Sequence, residues 1–313
     1  MRWRPSRTTQ VDDRRGGGGG FGGLGGVRMG GLGGGGIPIP LGGGIGGIVL
    51  VVIIFVVINL LGGGGGGSLG GDLGGLGGAP AGQGGPLASL DPGDDEIQFV
   101  NAVTVDLQAF WEERFAAAGK DYPETTTVVF DEATPPDQRQ TGCGVASSAT
   151  GPFYCPADHG VYLDLDFFDL LSSRFGAPGD FAQAYVMAHE YGHHVQNALG
   201  IMDQVQSQQT SSNANDLSIR MELQADCLAG VWAHSIWTSP DQSDVQSITE
   251  ADVREAIGAA EAVGDDRIQE QTTGRINPEN WTHGSADQRA KWFNTGFRQG
   301  TTESCDTFSI ANP

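Results

Sequence analysis

An α+β fold, mostly helical with a small sheet and preceded by one transmembrane helix, is what this sequence predicts. Three observations carry that expectation. Residues 41–61 form an uncharged apolar run, residues from 94 onward hold several long helical patterns, and short strand-like runs at 125–130 and 160–165 lie among them.

Of the 52 glycines in 313 residues, 35 fall within residues 16–85. A stretch of that kind buries too little apolar surface to offset the entropy of ordering it. Residues 1–40 are therefore expected to be a disordered Arg/Gly-rich leader, and residues 94–313 one domain of ordinary size. Between them, residues 41–61 read LGGGIGGIVLVVIIFVVINLL, with Asn59 as the one strongly polar side chain. At ~1.5 Å per residue this run makes a helix of about 31 Å, enough for a hydrocarbon core of about 30 Å. Lipid selects helix for it, because every backbone group must be paired internally. A cleaved signal peptide would need a charged leader of about 40 residues, so an uncleaved anchor is the better reading. Arginine-rich flanks stay cytoplasmic. The N-terminus is accordingly expected inside the cell membrane, the domain outside it, and residues 62–93 as a flexible Gly-rich linker.

The first 44 residues carry six Arg against two Asp, a net of +4, which leaves −25 for the rest of a chain whose total is −21. So acidic a domain excludes nucleic acid as a partner, since phosphate contacts need clustered Lys and Arg. The acidity suits solubility outside the cell, and no Asp-x-Asp-x-Asp-Gly loop points to calcium. All four cysteines, Cys143, Cys155, Cys227 and Cys305, lie beyond the apolar run. None has Cys-x-x-Cys spacing, and in an oxidising compartment two disulfides are expected. Of three possible pairings, Cys143–Cys155 with Cys227–Cys305 is the favoured one.

Within the domain the patterns place a helix over 95–118, strands at 125–130 and 160–165, and a short helix to about residue 174. Residues 180–199, DFAQAYVMAHEYGHHVQNAL, contain no proline, with Asp180 and Gln183 as a capping box and Gly200 as the stop. Inside this helix lies His189-Glu190-Tyr191-Gly192-His193. Residues four apart share a helix face, so both imidazoles reach one ion, while Glu190 lies beside it to take a proton from the attacking water. The longer HExxHxxGxxH pattern fails, because Gln196 and Leu199 stand where Gly and His are required. A third ligand is then expected from a second helix, residues 215–237, which carries Glu222 and, one turn on, Asp226. Glu222 is the ligand of choice, with Asp226 accepting the spare ring proton of a ligand histidine. Asp203 and Asp216 lack such a pairing. Further helices are expected over 249–263 and 285–297.

HEYGHHVQ followed by ELQADCLAGVW resembles the zincins whose third ligand is Glu and whose second motif is Glu-x-x-Ala-Asp. More narrowly, GPFYCPADHGVYLD, AYVMAHEYGHHVQ and GDDRIQEQTTGRINPENWTHGSADQRAKWF are similar to segments of the bacterial neutral zinc metallopeptidases. That resemblance covers most of the chain from about residue 94. It implies a zincin-like fold, one zinc per chain, and peptide or protein substrates. It also directs attention to Trp281-Thr282-His283-Gly284-Ser285 and to Arg289, where His283 would stabilise the oxyanion or transiently occupy the open metal position. The same run also reads as a plain helix N-terminus. His194, His159 and His234 read as structural.

The expected function is membrane-anchored, zinc-dependent peptide hydrolysis with Glu190 as general base. The alternative is a non-catalytic zinc-containing binding or scaffold protein of the cell envelope. An extended substrate is expected to add to the strand at 161–165, with Tyr162 and Asp164 as its test positions.

Overall fold

The computed structural model describes residues 1–16, 87, 90–148 and 150–313. The apolar run at 41–61 and nearly all of the glycine-rich linker lie outside the described residues. Among those described, no helix is long and apolar enough to cross a membrane.

The segment expected to be a disordered leader instead contributes two strands. Strand β1 (Arg2–Trp3) pairs antiparallel with Ser247 and Val245, and β2 (Val11–Asp13) lies parallel to Thr127–Val129 in the main sheet. Val11 is buried, the Asn101 side chain accepts from Gln10 N and donates to Thr8 O just before β2, and Arg15 pairs with Asp94 at 2.7 Å. Residues 1–16 of the expected leader therefore pack on the domain, and residues 17–40 lie outside the described residues.

Helix α1 (Asp95–Ala117) starts where Asp94 accepts the N–H of Ile97, with Asp95 and Glu96 in the first turn favoured by the helix dipole. It buries Ile97, Val100, Val103, Leu107 and Trp111 along one stripe. Next come β3 (Thr126–Phe130), the small hairpin β4 (Gln140–Thr141) and β5 (Gly144–Val145), then β6 (Phe153–Cys155) and β7 (Gly160–Asp164). The main sheet runs β2-β3-β7-β6, parallel through β2, β3 and β7, with β6 antiparallel at the edge. Every residue of β7 is buried, so Tyr162 and Asp164 do not stand at an open edge as expected. Among the described strands the edges are β2 and β6, and β6 is the one that lines the cleft.

After α2 (Leu165–Ser173), helix α3 (Asp180–Ala198) forms the spine, burying Phe181, Tyr185, Met187, Tyr191 and Val195. Its N-cap is Gly179, with no side-chain cap bond, so the expected Asp180–Gln183 capping box does not form. Asp180 is the first helical residue, where its charge suits the dipole. The helix ends before Gly200, which is left-handed at φ 72° as a C-terminal stop requires. A short α4 (Ile201–Gln208) leads to α5 (Ala214–Thr238), then β8 (Val245–Ser247), α6 (Glu250–Ala262), α7 (Asp265–Thr273) and α8 (Ala286–Gln299).

Close approach of α3 to α5 is what builds the site. A Cβ on Gly192 would lie 2.9 Å from the Cα of Ala225, so only glycine lets these backbones meet. Helix α5 is clamped on its other side to α8, where Gly230 and Gly296 each face the partner's backbone. Disulfide Cys227–Cys305 ties α5 to the C-terminal segment, and Cys143–Cys155 ties the hairpin region to β6. Both are the pairings the sequence favoured. The mostly helical α+β architecture is likewise as expected.

Candidate metal centre

His189 and His193 project from one face of α3, and Glu222 from α5 across the Gly192 contact. Their donor atoms all lie within 4.8 Å of one another, the one such group of three or more His, Cys, Asp or Glu among the described residues. His189 Nε2 is 3.1 Å from one Glu222 oxygen, and His193 Nε2 is 3.5 Å from the other. Donors about 2.0–2.2 Å from a tetrahedral zinc stand about 3.3 Å apart, so the two imidazoles and the carboxylate fit that ion.

The other ring nitrogens are already engaged, which is why both Nε2 atoms face Glu222. His189 Nδ1 donates to Asp226 at 2.8 Å, and His193 Nδ1 to Gln196 at 2.9 Å. Gln196 is in turn fixed by donating to Met221 O and Gln224. The residue that breaks the longer histidine motif therefore holds His193 in place.

Asp226 is fully buried and accepts three further bonds: Tyr185 Oη at 2.6 Å, Arg289 Nε at 2.8 Å and Arg289 Nη2 at 2.9 Å join His189 on its two oxygens. Burial alone would raise its pKa, but Arg289 and His189 outweigh that and hold it down at about 2. Glu222 is likewise held well below the ordinary carboxylate range; burial opposes its charge, and His193 and His189 overcome it. Burial also opposes a charge on His189, yet Asp226 and Glu222 push its pKa up to about 9. A metal on Nε2 must displace that proton, so binding releases protons.

Glu190 is buried, and that desolvation raises its pKa. The backbone N–H of Tyr154, on the free edge strand β6, bonds its carboxylate and works the other way. His283 sits on the loop before α8 and, like Glu190, lines the cleft over the metal group; it is not itself in that group. Its Nδ1 is 3.1 Å from Asp265 Oδ1. Burial opposes its charge, and Asp265 and Glu222 raise its pKa in spite of that. Asp265 does more: its Oδ2 accepts the backbone N–H groups of Thr282 and His283 at 2.7 Å and of Gly284 at 3.2 Å. Ser285 then caps α8 in a full capping box with Gln288, so the run is both a helix start and part of the site.

The remaining histidines are structural. His194 is fully buried between Tyr154 Oη and Pro123 O, and burial pushes its pKa down to about 4. His234 bonds Phe297 O at 2.7 Å, and His159 uses its backbone carbonyl to receive Thr125. Asp203 lines the cleft but lies outside the metal group, and Asp216 pairs with Arg220. Sequence reasoning missed the roles of Gln196, Tyr185, Asp265 and the Tyr154 backbone; Tyr185, Asp265 and Tyr154 act through contacts distant in sequence, and Gln196, three residues from His193, is fixed by α5.

Over residues 1–308 the chain matches the family described as "Putative neutral zinc metallopeptidase". It is 44% identical over 245 residues to the uncharacterized protein YpfJ of Escherichia coli (strain K12), a match covering 76% of this chain and 81% of that protein. An uncharacterized protein of Mycobacterium tuberculosis (strain H37Rv) is 54% identical over 177 residues, 55% of this chain and 60% of that one. No solved structure matches the chain.

Proposed function

The chain belongs to this neutral zinc metallopeptidase family, and from that premise we propose that it hydrolyses peptide bonds with His189, His193 and Glu222 holding one zinc and Glu190 as general base. The observation that carries the reading is the convergence of both histidine Nε2 atoms on Glu222 beside a buried Glu190 in an open cleft. Zinc at such a site supplies Lewis acidity, activating water near neutral pH and polarising the scissile carbonyl.

The chain's own residues do the rest. Glu190, its pKa raised by burial, accepts the proton of the attacking water and returns it to the leaving amine. Asp226 and Gln196 keep the two ligand rings in the tautomer that presents Nε2. His283, whose charged form Asp265 favours, supplies a donor for the oxyanion that develops on the carbonyl. An extended substrate backbone adds to the open edge of β6, beside Glu190, in place of the interior strand first expected. The two disulfides favour an oxidising compartment as the site of action.

The test uses the full-length chain, loaded with zinc, beside its Glu190→Gln counterpart. A fragment starting at residue 94 would lack β1 and β2. Both proteins are incubated with a mixed peptide library and cleavage is read by mass spectrometry. Cleavage by the parent alone, at equal zinc content, is the expected result; equal cleavage by both would remove Glu190 from the mechanism.

A further inference from the structure

The cleft over the metal group has a volume of about 360 Å³ and is lined mostly by apolar side chains. Phe167 and Leu170 on α2, with Phe175 after it, come from the chain that enters the N-terminus of α3, and Met202 and Val205 on α4 from the chain that leaves its C-terminus. Val186 on α3, Leu217 and Met221 on α5, and Val263 and Ile268 complete the apolar lining. Most of these side chains are only partly buried, so the cleft presents apolar surface to solvent. Such surface is covered favourably by another apolar group and not by a charged one.

The charges in the cleft point the same way. Glu190, Glu222, Asp203 and Asp265 line it, and Arg289 is the sole Lys or Arg among its described lining residues. Arg289 is buried and committed: Nε and Nη2 bond Asp226, and Nη1 reaches Val263 O at 3.3 Å. No Lys or Arg is left to hold the carboxylate of a chain terminus, and His283 is engaged with Asp265 and the oxyanion. For a terminal ammonium, the carboxylate outside the site's own bonds is Asp203, which is exposed on α4 and screened by solvent.

Resting on the zinc peptidase reading, we propose that the protein is an endopeptidase for internal polypeptide segments with bulky apolar side chains on both sides of the cleaved bond. Acidic side chains are disfavoured there by the cleft carboxylates, and neither chain terminus is recognised. Met202 and Met221 adapt to differently shaped apolar groups, so Phe, Leu and Met are all accepted.

The experiment uses four synthetic dodecapeptides in a Gly/Ser/Gln frame. Three are acetylated and amidated, with Phe-Leu, Lys-Lys or Glu-Glu at the centre; the fourth has Phe-Leu and free termini. Zinc-loaded full-length protein is expected to cut the blocked Phe-Leu peptide internally, with kcat/KM at least about tenfold above the Glu-Glu peptide. Freeing the termini should change the rate by less than about threefold. Release of single residues only from the free-ended peptide would overturn the proposal while leaving the peptidase reading intact, as would cleavage indifferent to the central pair. If no peptide is cleaved, the same blocked peptides, fluorescently labelled, are titrated onto the Glu190→Gln protein. Tighter binding of Phe-Leu than of Glu-Glu then sustains the cleft assignment while the peptidase reading falls; equal or undetectable binding overturns the assignment as well. Leu170→Glu and Met202→Glu, checked for unchanged melting temperature and zinc content, should each raise KM for the Phe-Leu peptide with little change in kcat.

Discussion

Two imidazoles near the metal group are held in the same way, each through Nδ1 to a buried aspartate, but on very different scaffolds. His189 and Asp226 sit on two long helices pressed together at Gly192, 2.8 Å apart. His283 and Asp265 sit on a loop and at the first residue of a helix, 3.1 Å apart. In the first pair Arg289 and Tyr185 lock the aspartate, and the free Nε2 is aimed at Glu222 as a metal donor. In the second the aspartate spends its other oxygen on three loop N–H groups, which shapes the loop and leaves the imidazole on the wall of the cleft. On the proposed function, the same bond serves metal holding in one place and charge stabilisation in the other. What separates the roles is where the scaffold points the remaining nitrogen.

Variants can break that distinction. The largest effect is expected from Glu190→Gln, which belongs to neither pair. It should lower kcat by about 10²–10⁴-fold with zinc still bound at the parent's level, measured by metal analysis beside peptide turnover. His283→Ala should cost about 10²–10³-fold in kcat and leave zinc affinity unchanged, as for loss of one oxyanion donor. Asp265→Asn should follow it with a smaller loss. Asp226→Asn should do the opposite, weakening zinc affinity by about 10–100-fold in competition with a chelator. If His283→Ala released zinc, the two pairs would have the same role and the comparison would fail.

A smaller effect sharpens the contrast between carboxylates that are paired and one that is not. Asp164 is fully buried at the start of α2, with Oδ1 accepting the N–H of Asp166, and burial reinforced by Asp166 raises its pKa to about 7. Because the folded pKa is raised above the unfolded value near 3.8, its contribution to stability is full below that value. It is lost as pH rises through about 7. Asp164→Asn keeps the capping acceptor and cannot ionise. Its melting temperature should exceed the parent's by on the order of 2–4 °C at pH 8, less at pH 5, and not at all below pH 4.

The helix pair was legible in the sequence because its chemistry is written at helical spacing: His189 and His193 four apart, Glu222 and Asp226 four apart. The loop pair was only half legible. His283 stood out by resemblance, whereas Asp265 lies 18 residues away on α7, whose sequence DDRIQEQTT is polar almost throughout and shows no apolar period. Strand β6 is three residues long and was absorbed into a cysteine-flanked loop, so the open edge was assigned to β7, whose five-residue run reads more clearly as a strand. Strands β1 and β2 escaped for another reason. They total five residues, and their partners lie more than a hundred positions along the chain, so only tertiary pairing defines them. Gln196 was visible only as a departure from a longer motif; its bond to His193 depends on α5 supplying Met221 O and Gln224 to fix it.

The most direct measurement is X-ray absorption at the zinc edge on the zinc-loaded, full-length protein. The account predicts a first shell of light atoms at about 2.0–2.2 Å, two of them imidazole nitrogens and the others oxygen, with no sulfur. A thiolate at about 2.3 Å, or a third imidazole in place of the Glu222 oxygen, would contradict the assignment of His189, His193 and Glu222 as the metal-holding set.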